Sequence, residues 1–124
     1  MKGGLVVDFF HMSKLPEIDT KTRTARVQPG IGWEKFDREL AKENLTLRLY
    51  PSSYPAATVG GWLAQGGAGF GSYESGWFRD NVVSARGVLA GGTVREFSGS
   101  DLDLVPEAEG TTGLIVLKLP MLCR

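Results

Sequence analysis

Residues 50–80 read YPSSYPAATVGGWLAQGGAGFGSYESGWFRD, and within them Thr58, Gly60, Gly61, Gly66, Gly67, Gly69 and Gly71 concentrate small side chains. Glycine lacks Cβ, so it lets the main chain approach a flat or anionic ligand and leaves amide donors uncovered. The same composition also suits a glycine-rich surface loop joining two elements. Val59 and Trp62, with Leu63 and Ala64 behind them, are apolar anchors that favour a short packed helix over a floppy loop.

On the N-terminal side, Leu5-Val6-Val7-Asp8-Phe9-Phe10 is a short apolar run with branched and aromatic residues, which predicts a largely buried strand. A second strand is expected at Glu17 to Asp19. Asp19-Thr20-Lys21-Thr22 has turn chemistry, and the alternating stretch Thr22 to Gln28 supplies the return strand of a hairpin, ended by Pro29-Gly30. From Trp33 the period changes: Trp33, Phe36, Leu40 and Ala41 share one face and charged residues cover the other, the pattern of a helix with a solvated side. Asn44 suits its C-terminal stop, and Leu45 to Tyr50 should run extended into the Pro51 loop. Beyond the glycine-rich stretch, Val82 to Leu89 reads as a strand that Gly91-Gly92 turns back into Thr93 to Phe97. Ser98 to Glu109 predicts a short helix or packed loop, and Leu114 to Leu117 a final buried strand. The expected fold is α+β, a mostly antiparallel sheet with flanking helices on one side.

A chain of 124 residues fits one domain, and at that size about two-thirds of the unfolded surface becomes buried. Fourteen basic and fourteen acidic residues cancel, which argues against nucleic acid or an anionic membrane as partner, since both select a basic excess. No run of about 18 apolar residues occurs and the N-terminus lacks a signal peptide's apolar core, so a cytoplasmic protein with no membrane span is expected. Cys123 is the single cysteine, which leaves no internal disulfide and no metal cluster. His11, the single histidine, has no neighbour that would orient it as a base and reads as structural. Trp33 is expected in the core, Trp77 is the best candidate for an exposed ring, and Arg79-Asp80 reads as a local ion pair.

Pro51-Ser52-Ser53, Thr58-Val59-Gly60-Gly61, Gly67-Ala68-Gly69, Arg79-Asp80-Asn81-Val82, Gly91-Gly92 and Glu109-Gly110-Thr111-Thr112-Gly113 follow one another along the chain. A lone Gly-Gly is weak, but spaced motifs in a fixed order are specific. Over nearly the whole chain this order resembles the flavin-binding domain of the FAD-linked oxidase family, the PCMH or vanillyl-alcohol-oxidase type, and within it glycolate oxidase, D-lactate dehydrogenase and alkyl-dihydroxyacetonephosphate synthase. The resemblance implies FAD as cofactor. It places Pro51, Ser52, Ser53, Thr58, Gly60 and Gly61 against the flavin and pyrophosphate, Gly67, Ala68 and Gly69 as a continuation of that wall, and Glu109, Gly110 and Ile115 near the adenosine end. Family members carry Asp or Ser at some positions where this chain has Ser52 and Ala68, so the hydrogen bonds at those two positions depart from the pattern.

Gly3-Gly4-Leu5-Val6-Val7-Asp8 resembles the strand that follows the family's phosphate-binding loop. Residues 1–124 are therefore expected to be a partial FAD-binding domain, the second subdomain, without the phosphate-loop subdomain and the substrate cap. Covalent flavin is not expected, because the tethering histidine of some relatives belongs to that loop. The resemblance implies part of an FAD-dependent oxidoreductase that oxidises a small 2-hydroxy acid such as glycolate or D-lactate. The alternative is a non-catalytic truncated half-domain or assembly subunit that binds a partner chain. Association, as a homo-oligomer or with such a partner, is expected through the Pro51 to Gly71 wall and a sheet edge near Leu5 to Phe10. No catalytic residue is assigned.

Overall fold

In the computed structural model of the protein, the described residues are 3, 4, 6–104 and 115–123, as backbone alone at 103, 104 and 115–122. Five strands form one antiparallel sheet: β1 (Glu17–Asp19), β2 (Thr24–Val27), β3 (Ser84–Val88), β4 (Val94–Ser98) and β5 (Ile115–Leu122), in the order β1-β2-β5-β3-β4. Three helices, α1 (Trp33–Lys42), α2 (Val59–Ala64) and α3 (Ser72–Ser75), lie in the long connection between β2 and β3, and 3-10 turns cover Phe78–Asn81 and Gly99–Leu104. This is the expected α+β class.

Local chemistry accounts for both hairpins. Asp19 Oδ1 accepts from the amides of Lys21 and Thr22, which turns β1 into β2; the Thr22 hydroxyl first, and then these two amides, hold the Asp19 carboxyl below its ordinary range. Glu17 then stands opposite Arg26 and pairs with it at 2.7 Å. Gly92, at φ 83°, makes the second turn, with Leu89 N–H donating to Thr93 O at 2.9 Å.

The helix α1 buries Trp33, Phe36 and Leu40. It ends in a Schellman arrangement: Asn44, at φ 56°, donates to Ala41 O and Leu45 N–H reaches back to Leu40 O at 3.0 Å. Leu45, Leu47 and Leu49 then alternate inward along the extended segment that leads to Pro51. β5 runs further than Leu117 and lies inside the sheet, with Pro120 opposite Arg26.

Leu5 to Phe10 is not the buried strand that its composition predicts. Among the described residues of that run none belongs to a strand, and Val6, Val7 and Phe10 are 91%, 49% and 74% exposed. Asp8 Oδ1 accepts from Phe10 N–H and Met12 N–H donates to Phe9 O, so the backbone turns where a strand would continue. An apolar run is buried only where another surface meets it, and among the described residues β1, at one edge of the sheet, pairs with β2 alone. His11 is exposed, with its ring edge-on to Phe10 at 5.2 Å. No helix among the described residues is long and apolar enough to cross a membrane, and no group of His, Cys, Asp or Glu among them could hold a metal ion.

Candidate functional site

The glycine-rich stretch is a closed loop. Tyr50 and Phe70 exchange two backbone hydrogen bonds of 2.8 Å, so residues 51 and 69 lie side by side, with Pro51 Cα 3.2 Å from where a Cβ on Gly69 would stand. Inside the loop, Tyr54 N–H donates to Pro51 O and the amides of Ala56 and Ala57 to Ser53 O, which winds the chain into α2. Thr58 caps this helix, its Oγ1 accepting from Gly61 N–H at 3.3 Å. The base of the loop is tied to the segment before α1 by Val59 N–H to Ile31 O, Gly60 N–H to Pro29 O and Trp33 N–H to Ala57 O.

The glycines of this loop divide into two kinds. A Cβ on Gly60 would stand 2.8 Å from Pro29 Cα, one on Gly67 2.7 Å from the Trp62 ring, and one on Gly69 3.0 Å from the carbonyl carbon of Tyr50, so these three allow backbone to pack closely. Gly61 is the other kind: a Cβ there would meet Thr58 Oγ1 alone. Pro51, Gly60 and Gly67 are buried and Gly69 is half-buried, whereas Ser52, Ser53, Thr58, Gly61 and Ala68 are exposed. The first group shapes the loop and the second forms its outer face. Glu109 and Gly110 lie outside the described residues, and Ile115 opens β5 opposite Val88 with its side chain outside them.

Rings fix the loop from behind. Trp62 stacks on Phe78 at 4.9 Å, and Trp33 meets both edge-on at 5.0 and 5.3 Å. Phe78 N–H donates to Gly67 O, which ties the 3-10 turn to the end of α2. Asn81, 2% exposed, donates from Nδ2 to Ser75 O and Trp77 O at 2.8 and 3.1 Å. Its burial was not legible from a motif in which Arg79 and Asp80 carry the charge; those two stand 3.8 Å apart. Trp77 is 54% exposed and borders a hollow of about 170 Å³ with Gln65, Gly66 and Arg79.

A further polar group sits at the start of the loop. Tyr50 and Tyr54 both donate to Asp37 of α1, one to each carboxylate oxygen at 3.3 Å, and their rings meet edge-on at 5.6 Å. Burial and then the Asp37 charge push the Tyr54 phenol above its ordinary pKa. By its sequence position Asp37 is one charge of a solvated helix face; its partners, 13 and 17 residues away, leave no local pattern.

FAD presents an apolar, flat ring system and a doubly charged pyrophosphate, and a wall that meets it needs hydroxyls, amides and little bulk. Ser52, Ser53, Thr58, Gly61 and Ala68 satisfy this: on the outer face they present hydroxyl, methyl or hydrogen, with no charged side chain among them. The Thr58 and Ser52 hydroxyls would hold the group there, and Gly61, whose N–H and C=O are already bonded to Thr58 Oγ1 and Gln65 N–H, would admit it by lacking a side chain. These residues fit FAD.

Known proteins share the sequence pattern and the fold of this chain. The family described as FAD binding domain matches residues 1–98. The glycolate oxidase subunit GlcD of Bacillus subtilis is 33% identical over 123 residues, covering 92% of this chain and 26% of its own length. The mitochondrial D-lactate dehydrogenase [cytochrome] of Arabidopsis thaliana is 32% identical over 123 residues, covering 92% of this chain and 21% of its own length. A solved structure of alkyldihydroxyacetonephosphate synthase superposes with a TM-score of 0.81 at 30% identity, over 91% of this chain and 22% of that one. The chain thus spans about a quarter of the length of these curated relatives. The match of the FAD binding domain family to residues 1–98, together with these relatives, places the chain in the PCMH-type FAD-binding domain family of the FAD-linked oxidoreductases, with FAD as its cofactor.

Proposed function

We propose that this chain supplies the flavin-facing wall of an FAD-dependent oxidoreductase that oxidises a 2-hydroxy acid such as glycolate or D-lactate. The observation that carries the proposal is the outer face of the 51–69 loop, where Ser52, Ser53, Thr58, Gly61 and Ala68 are exposed and small while Pro51, Gly60, Gly67 and Gly69 are spent on packing. The 2-hydroxy acid draws support from the names of two relatives, a glycolate oxidase subunit and a D-lactate dehydrogenase. Alkyldihydroxyacetonephosphate synthase, the third, is named for a product that is not a 2-hydroxy acid derivative of this kind. Bound FAD supplies the two-electron acceptor; the residues of this chain bind it, orient it and keep bulk away from its face. Glu109, Gly110 and Ile115 belong to the proposal at the adenosine end.

Titration of FAD into the purified chain, followed by quenching of flavin fluorescence, tests the wall. Weak but saturable binding is expected, since one wall of the site is present, and Gly61→Val should weaken it about tenfold, or about 1.4 kcal/mol, with the circular dichroism spectrum unchanged. Absence of saturable binding, or equal affinity in Gly61→Val, would refute the placement. Anaerobic loss of the yellow absorbance on adding glycolate or D-lactate to the FAD-loaded protein tests the substrate class.

A second reading, a half-domain that docks on a partner chain or a second copy, is favoured by the exposure of Val6 and Phe10. Light scattering at micromolar concentration separates the two: a clean monomer that binds FAD excludes it.

A further inference from the structure

The Asp37 carboxylate is bound by hydroxyls from both sides of a short, exposed piece of the proposed wall. Tyr50 lies immediately before Pro51-Ser52-Ser53 and Tyr54 immediately after, so two anchors to one carboxylate bracket three residues. Thr46 Oγ1, 3.0 Å from the Tyr50 hydroxyl, extends the network to the strand-like segment before it. A carboxylate accepts at both oxygens, and here Oδ1 serves Tyr50 and Oδ2 serves Tyr54. Asparagine has one acceptor oxygen and could serve one tyrosine well. Glu34, on the same helix, adds a like charge near Tyr54 that favours its protonated, donating form. Between the anchors the backbone has few ties of its own: Tyr54 N–H to Pro51 O, and Ser53 O accepting from Ala56 and Ala57. Ser52 and Ser53 are exposed.

We infer that Asp37 is a positioning residue for the Pro51-Ser52-Ser53 segment, clamping it through Tyr50 and Tyr54 so that the two serine hydroxyls keep a fixed place on the wall. The relevance to FAD rests on the function proposed above; the clamp itself does not.

Hydrogen exchange and FAD titration on the same variants test both parts. In Asp37→Leu, exchange across residues 51–57 should rise about tenfold, the loss of a little over 1 kcal/mol of hydrogen bonding, while α2 and the sheet keep their protection. Asp37→Asn and Tyr54→Phe, each retaining one anchor, should lie between Asp37→Leu and the wild type. A purely structural role would raise exchange across the whole protein. Unchanged exchange over 51–57 in Asp37→Leu, or a uniform rise everywhere, overturns the clamp; should Asp37→Leu fail to fold, Tyr54→Phe decides on the same readout. FAD affinity should fall in step with the loosening. If the segment loosens and FAD affinity stays the same, the clamp stands and the placement of Ser52 and Ser53 at the cofactor is wrong. If the wild type binds no FAD, the proposed function fails and exchange still decides the clamp.

Discussion

Gly60 and Gly61 are neighbours on α2, and replacing each by alanine should have opposite consequences. At Gly60 a Cβ would stand 2.8 Å from Pro29 Cα and 3.0 Å from Pro29 O, against backbone that cannot rotate away. The helix must back off, and the Gly60 N–H to Pro29 O bond of 2.8 Å lengthens with it. Overpacking of this kind costs about 1–3 kcal/mol and the weakened bond about 1 kcal/mol, against a gain of about 1 kcal/mol from the better helix propensity of alanine. The net expectation for Gly60→Ala is a loss of about 2 kcal/mol, which at this chain length lowers Tm by roughly 6–12 °C. At Gly61 the new methyl meets Thr58 Oγ1 at 2.9 Å and nothing else. Rotating that hydroxyl away costs about 1 kcal/mol of capping, and the propensity gain of about 1 kcal/mol offsets it. Gly61→Ala should therefore match the wild type to within about 0.5 kcal/mol. Thermal and urea unfolding, followed by tryptophan fluorescence, measures both. A Gly60→Ala protein as stable as the wild type, or a Gly61→Ala protein that falls as far as Gly60→Ala, would refute the division of the loop into packing and outward-facing glycines.

Other consequences are equally open to measurement. Cys123 is 1% exposed and burial pushes its thiol up to about 11, so alkylation of the native protein at neutral pH should be far slower than in urea; rapid native labelling would contradict the burial. Because the folded value lies above the ordinary 9.0, this thiol's contribution is intact below pH 9 and is lost as pH rises towards 11, about 2–3 kcal/mol in all, readable as a falling urea midpoint that Cys123→Ala should flatten. Asn81→Asp puts an acceptor against the carbonyls of Ser75 and Trp77 and should cost about 3 kcal/mol by denaturant unfolding, with partial recovery at acid pH when the carboxyl can donate again. Trp77 is 54% exposed while Trp33 and Trp62 are 0% and 5% exposed, so iodide should quench one fraction of the native fluorescence and Trp77→Phe should remove that fraction.

Both hairpins, the long helix and the short one were legible because local chemistry decides them. The Asp19 turn, the Gly91-Gly92 turn and the Asn44 stop each act within a few residues, and the structure shows each. Leu5 to Phe10 misled because its composition says that it prefers burial and nothing about what would bury it. The glycines were legible as a group and not as individuals: whether Gly60 or Gly61 faces outward depends on Pro29, 31 positions before Gly60 in a different segment. Asp37 and Asn81 were missed for the same reason. A polar residue whose partners are far along the chain, or are backbone carbonyls, leaves no local pattern.

The strand β5 has a consequence for the order of events in folding. Each hairpin can form from near neighbours, but β2 and β3 find their inner partner only when a strand from the far side of residues 99–114 inserts between them. On the ribosome, every earlier element emerges first and waits, with two unsatisfied strand flanks, for that final segment. Assembly is thus a late zippering step set by long-range closure, slow relative to either turn, and the waiting state is the one most exposed to pairing with the wrong chain.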